Sequence, residues 1–157
     1  MELQTKKTHK KLTKEQRSGI VLSLIILGTL AFFLPILLFT GSLETSLDDT
    51  SLTVKASYWS DLTLHYEDID SIEYRPSVDA GSRIGGFGSP KLLMGSFRNE
   101  EFGAYTRYTY AKVSPCIVLK VDGHVYVIGT EDDSELRKIY EKILVEISKD
   151  TPTQADT

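Results

Sequence analysis

The residues most suggestive of chemistry lie in one glycine-rich stretch, Gly81-Ser82-Arg83-Ile84-Gly85-Gly86-Phe87-Gly88-Ser89-Pro90-Lys91. Such loops cradle phosphates when backbone amides converge and a lysine reaches the anion, the GxxxxGK[ST] pattern. Gly81 and Gly86 have the first spacing, but Phe87 stands where the lysine is required. A GxGxxG pattern is absent. These glycines therefore read as shape-makers, supplying tight turns and positive φ angles.

Nucleophiles and proton carriers are scattered. His9, His65 and His124 stand apart from one another, and each reads as a surface or hydrogen-bonded histidine. Cys116 is the sole cysteine and lies in an apolar run, where a buried, inert thiol is expected. It has no partner in the chain for a disulfide, so stability must come from packing. Asp132-Asp133 precedes a helical pattern and reads as a cap. No metal-ligand cluster and no nucleophile–base pair emerges, so neither an enzyme nor a cofactor is expected.

The strongest binding candidates are aromatic and basic: Trp59, Arg83, Phe87, Arg98, Tyr105, Arg107, Tyr108 and Tyr110. On one strand, Tyr108 and Tyr110 share a face while Tyr105 and Arg107 share the other. One of those faces must be core. The working site is Arg83, Phe87, Arg98, Tyr105 and Arg107, where rings beside guanidinium groups could anchor a peptide, a sugar or a headgroup.

These residues are carried by strands. Alternating patterns mark Leu52–Ala56 and Leu62–Tyr66, with Tyr58–Asp61 as the turn between. Further strands are expected at Ile69–Tyr74, Lys91–Phe97, Gly103–Ala111, Cys116–Val121 and Val125–Ile128. Gly95 signals a bulge or a close backbone approach, and Asp122-Gly123 a two-residue hairpin turn. Arg75 to Pro90 reads as a long irregular loop. The period then changes: Leu136, Ile139, Tyr140, Ile143, Leu144 and Ile147 form one helical stripe, capped by Thr130 or Asp132. Seven strands and one closing helix make a mainly β fold, an antiparallel sandwich or partly open barrel.

The other half of the chain is set by residues 19–40, GIVLSLIILGTLAFFLPILLFT, which hold no ionisable side chain. As a helix they span roughly 33 Å, enough to cross a bilayer core. The run exceeds the usual apolar core of a cleaved signal peptide, and no A-x-A-like site follows, so an uncleaved signal anchor is expected. Residues 1–18 carry six basic residues against two acidic ones, +4. The whole chain is −4, which leaves −8 beyond the apolar run. The positive-inside rule then puts the N-terminus in the cytoplasm of a cell-membrane protein and the acidic domain outside. The acidic balance argues against nucleic acid as a partner. The chain divides as a basic tail (1–18), a transmembrane helix (19–40), a polar connector (41–51), a domain (52–149) and a disordered tail (150–157).

The order of elements resembles a pleckstrin-homology-like (PH-like) domain. The residues resemble a bacterial PH family of small membrane proteins, through Tyr66-Glu67-Asp68-Ile69-Asp70-Ser71-Ile72-Glu73-Tyr74, Gly81-Ser82-Arg83, Gly86-Phe87-Gly88 and Leu92-Leu93-Met94-Gly95-Ser96-Phe97. The resemblance continues in Pro115-Cys116-Ile117-Val118-Leu119-Lys120 and Glu135–Ile143, and covers roughly residues 52–148. It implies a PH-like sandwich and a binding role. Lipid-binding PH domains hold phosphoinositides with a basic cluster at their first hairpin. Here Lys55-Ala56-Ser57-Tyr58-Trp59-Ser60-Asp61 has one lysine and no arginine, which argues against phosphoinositide binding. The expected function is a non-enzymatic module, anchored in the bilayer by residues 19–40, that binds a protein or peptide at the cell envelope. The alternative is a module that senses an envelope glycan or lipid headgroup.

Overall fold

A computed structural model describes residues 13–113 and 115–150. The chain divides into two compact units, 1–37 and 38–157. The first is the greater part of helix α1 (Lys14–Phe39), whose 26 residues contain Pro35 without interruption. The helix begins earlier than residue 19 because Thr13 and Gln16 form a reciprocal cap. The Gln16 amide donates to Thr13 Oγ1 at 3.3 Å, and the Thr13 amide donates to Gln16 Oε1 at 3.0 Å. No residue of α1 is buried, and Phe32 is 66% exposed. It is a helix long and apolar enough to cross a membrane, near the N-terminus. Most of the basic tail and the tail after Asp150 lie outside the described residues.

The second unit is mainly β, with nine strands among the described residues rather than seven. They are β1 (Leu43–Leu47), β2 (Ser51–Ala56), β3 (Leu62–His65), β4 (Ile69–Arg75), β5 (Ser82–Gly88), β6 (Leu92–Asn99), β7 (Gly103–Tyr110), β8 (Cys116–Val121) and β9 (His124–Ile128). Helix α2 (Asp133–Asp150) follows. Two of the strands fall where none was expected. Residues 41–51 are not a plain connector, because β1 pairs with β2 from Leu43↔Ala56 to Leu47↔Leu52. Its polar residues Glu44 and Ser46 face solvent while Leu43 is buried, so a one-sided edge strand hid in a polar segment. The supposed loop 75–90 contains β5, whose glycines masked its strand character.

Strands β1-β2-β3 form one sheet, and β4-β8-β9-β7-β6-β5 form the other. The sheets are not closed into a barrel. All pairs are antiparallel except β7 and β9, which run parallel with Arg107 opposite Val127. This exception arises because the chain leaves β7, skips one position to lay down β8, and hairpins β9 back into the gap. Asp122 (φ 50°) and Gly123 (φ 76°) make that hairpin, both residues left-handed as a tight two-residue turn requires.

The main core lies between the sheets and under α2. Leu52, Val54 and Leu64 come from the small sheet, and Met94, Tyr108, Ile117, Leu119 and Ile128 from the large one. Leu136, Ile139 and Ile143 come from the helix. Of the two candidate caps, Asp132 serves: its Oδ1 accepts the Ser134 amide at 3.1 Å. The β5–β6 pair is tight. Gly86 (φ 117°) faces Gly95 (φ 114°), and a methyl on Gly95 would sit 2.5 Å from the Gly85 carbonyl oxygen. Close approach, the expectation for Gly95, is what the backbone makes.

Gly95→Ala combines a strained φ with a clash against backbone, so it should destabilise the domain by at least about 2 kcal/mol in chemical unfolding. Gly85 has open space around it and no positive φ, so Gly85→Ala should shift the midpoint little. Acid gives a second test. The Thr50 and Ser51 amides hold the Asp48 carboxyl below its usual 3.8, and Ser134 does the same for Asp132. Both shifts are downward, so this stabilisation is present at neutral pH and is lost as pH falls below 3.8. Thermal melting across pH 6 to 2 should show that loss, and Asp48→Asn should flatten it.

Candidate functional site

The five residues of the working site do not converge. Register divides them between the two faces of the large sheet. Arg83 lies opposite Phe97, and Phe97 opposite Tyr105, so these share the outer face with Arg107. Phe87 lies opposite Met94, and Arg98 opposite Ser82 and Ala104, so both belong to the inner face. Phe87 is half-buried and stacks at 5.2 Å on Tyr58, at the edge of the main core. Arg98 is exposed near the far end of β6.

Neither face of β7 is free. Tyr108 and Tyr110 enter the main core, as one reading of the strand required. Tyr105 and Arg107 are also buried, at 1% and 5% exposure, beneath a covering segment. That segment, residues 76–81, leaves β4 at one edge of the large sheet and enters β5 at the other. It has to cross the outer face, and Val78 packs there with Phe97, Tyr105, Cys116, Val118 and Val127.

Polar groups fasten this strap. The Tyr105 hydroxyl donates to the Ala80 carbonyl at 2.9 Å and lies 3.3 Å from that of Asp79. Arg107 Nε donates to Thr109 Oγ1 at 2.8 Å, and its Nη1 donates to the Val78 carbonyl and the Tyr105 hydroxyl at 3.3 Å. Among the described residues, no carboxylate forms an ion pair with Arg107. Asn99 adds a bond from its side-chain amide to the Asp79 carbonyl at 2.9 Å. Arg75 closes the strap's start, pairing with Glu73 at 2.8 Å and with Glu101 while lying over the Phe102 ring. Tyr105 and Arg107 are thus structural anchors of the outer face. Sequence reasoning missed their acceptors in the strap because these are backbone carbonyls, which leave no residue signature.

Burial pushes the Cys116 thiol up, against the opposing pull of the Arg107 and Arg75 charges, and the thiol is enclosed in the same outer cluster. His124 hydrogen-bonds Thr106 Oγ1 at 2.9 Å, and His65 is exposed on β3. His9 lies outside the described residues. Asp133 takes a hydrogen bond from the Tyr74 hydroxyl and an ion pair from Arg137, which together hold its carboxyl low. Among the described residues, no group of three or more His, Cys, Asp or Glu is placed to hold a metal ion.

The accessible members of the set are Trp59, Arg83 and Arg98, and the structure adds Ile84 beside Arg83. Arg83 is exposed and forms no ion pair among the described residues. Ile84 is the extra residue of a bulge between Arg83 and Gly85 and is 58% exposed. Its strand, β5, is one of the two edge strands of the large sheet, with β4 at the other side. An exposed β-branched residue on an edge glycine strand was the signal available in the sequence, but it required β5 to be recognised first.

Arg107→Lys keeps the charge and loses the planar fork, so one ammonium cannot serve three separated acceptors. It should cost about 1–3 kcal/mol in unfolding and should accelerate amide exchange in residues 76–81 before the rest of the domain. Equal acceleration throughout would show that Arg107 does not fasten the strap.

A family model described as a bacterial PH domain matches residues 43–143. No curated protein and no solved structure gave a significant match. The matched span starts at the first residue of β1 and ends within α2, so it takes in both sheets and most of the closing helix. With that span covering well over half of the chain, and with two sheets closed by one C-terminal helix, the chain belongs to the bacterial PH domain family.

Proposed function

We propose that this protein is a membrane-anchored, non-enzymatic module that binds an extended peptide segment of a protein partner along β5. The apolar helix anchors it in the cell membrane. The basic balance of residues 1–18 argues for a cytoplasmic N-terminus and an extracytoplasmic domain, so the partner belongs to the envelope.

One observation carries the binding reading: β5 is an edge strand whose outward backbone groups have no partner strand. An extended peptide gains affinity at such an edge from main-chain hydrogen bonds and specificity from side chains beside it. Gly85 offers little steric barrier to an incoming backbone, since a methyl there would meet nothing within 4 Å. Ile84 supplies an apolar anchor and Arg83 a charge suited to an acidic peptide residue. The bulge at Ile84 breaks the flat, regular edge that would invite pairing between copies of this chain.

A photo-crosslinking amino acid at position 84 should capture a discrete partner in intact cells, and the same group at His65 on β3 should not. Ile84→Lys should weaken binding of the captured partner on the order of tenfold while leaving the melting temperature unchanged. The same pattern of products from positions 84 and 65, or none from 84, would rule out the β5 edge.

A further inference from the structure

Only three residues, Thr40, Gly41 and Ser42, separate the end of α1 from β1. At full extension they reach about 10 Å. They are also held against the domain. Thr40 Oγ1 meets the Tyr58 hydroxyl at 2.8 Å, and the Ser42 amide donates to Ser57 Oγ at 2.9 Å. A methyl on Gly41 would lie 2.6 Å from Leu92 Cδ1 and 2.8 Å from the Tyr58 ring, so Gly41 is packed closely against both side chains. The Leu43 amide donates to the Tyr110 hydroxyl at 3.0 Å. Three loops are therefore pinned to the point where the chain leaves the apolar helix. They are the β2–β3 turn with Tyr58 and Trp59, the β5–β6 turn with Pro90 and Lys91, and the loop after β7 with Lys112 and Val113.

Their chemistry differs from that of the acidic domain that carries them. Trp59 is 44% exposed beside Tyr58. A cleft of about 190 Å³ is lined by Phe39, Pro90, Tyr110 and Val113, with Lys91, Lys112 and Glu131 as its charged groups. Lys91 Nζ lies 5.7 Å from the centre of the Tyr110 ring, and neither lysine forms an ion pair among the described residues. Tryptophan with lysine is the pairing that suits a membrane–water interface: the ring sits at headgroup depth and the ammonium reaches phosphate.

We propose that this end of the domain docks on the bilayer surface, with Trp59 in the headgroup layer and Lys91 and Lys112 holding the phosphate of an anionic lipid. The inference rests on the membrane-anchored reading of α1. It leaves the β5 edge open for its partner, because the docked surface is formed by loops and not by the strand's edge. Glu131 opposes the lysines and limits the site to one phosphate.

Trp59 is the only tryptophan in the chain, so its fluorescence reports on this surface alone. The full chain would be reconstituted in vesicles of phosphatidylcholine, with and without phosphatidylglycerol. Co-flotation is read first. A chain that does not float with the vesicles overturns the anchor reading and this one together. In a chain that floats, Trp59 emission should shift to shorter wavelength and be quenched by headgroup spin-labelled lipid, with little quenching by aqueous iodide. Phosphatidylglycerol should strengthen both effects. The pair Lys91→Gln and Lys112→Gln should abolish that strengthening and leave the phosphatidylcholine signal in place. A floating chain whose Trp59 is quenched by iodide and untouched by the lipid label overturns the docking while leaving the anchor standing. An unchanged phosphatidylglycerol response in the double variant overturns the phosphate contact.

Discussion

Strand β8 has no polar side over its first four residues, and the rest of the domain is arranged around that fact. Cys116, Ile117, Val118 and Leu119 point alternately to opposite faces of the large sheet, and all four are buried. A sheet with such a strand inside it, here between β4 and β9, must be covered on both sides there. The inner cover is the small sheet with α2. The outer cover is thin, a six-residue strap with Val78 as its apolar contact, and it is fastened by Tyr105 and Arg107 through hydrogen bonds to main-chain carbonyls. The buried guanidinium is tolerated because its donors meet oxygen acceptors, which offsets much of the cost of removing it from water.

Covering the outer face commits Tyr105 and Arg107 to the strap and buries both. The inner-face residue Phe87 is likewise spent on Tyr58. Of the residues weighed for binding, Trp59, Arg83 and Arg98 stay exposed, all three outside the two cores. The glycines of β5 and β6 allow close packing at two places. Gly86 and Gly95 let two backbones approach closely, and Gly88 leaves room for the Arg83 guanidinium to lie over it.

The short junction between α1 and β1 has a mechanical consequence. Gly41 is buried, and Thr40, Ser42 and Leu43 each bond to the domain, so the chain has almost no slack between the last helical turn and the first strand.

Much was legible in the sequence, because the signals were local. Length and the absence of charge marked the apolar helix, although its start at Lys14 depended on the cap between Thr13 and Gln16. Alternation revealed seven strands, the Asp122-Gly123 pair specified its hairpin, and a period of 3.6 specified α2. The family resemblance and the buried Cys116 were equally accessible. Other features needed tertiary context. Strand β1 is polar on one side and buried on the other only because β2 and Tyr110 lie beside it. Strand β5 is a strand because Gly86 can approach Gly95, a contact no propensity encodes. The clustering of Arg83, Arg98 and Arg107 in sequence did not survive folding, since alternation in register sent them to different faces and depths. Residue types and periods are properties of the chain and determined its elements. Which face is covered, which edge is free and which charge is buried are properties of pairing between distant segments, and only the folded structure decided them.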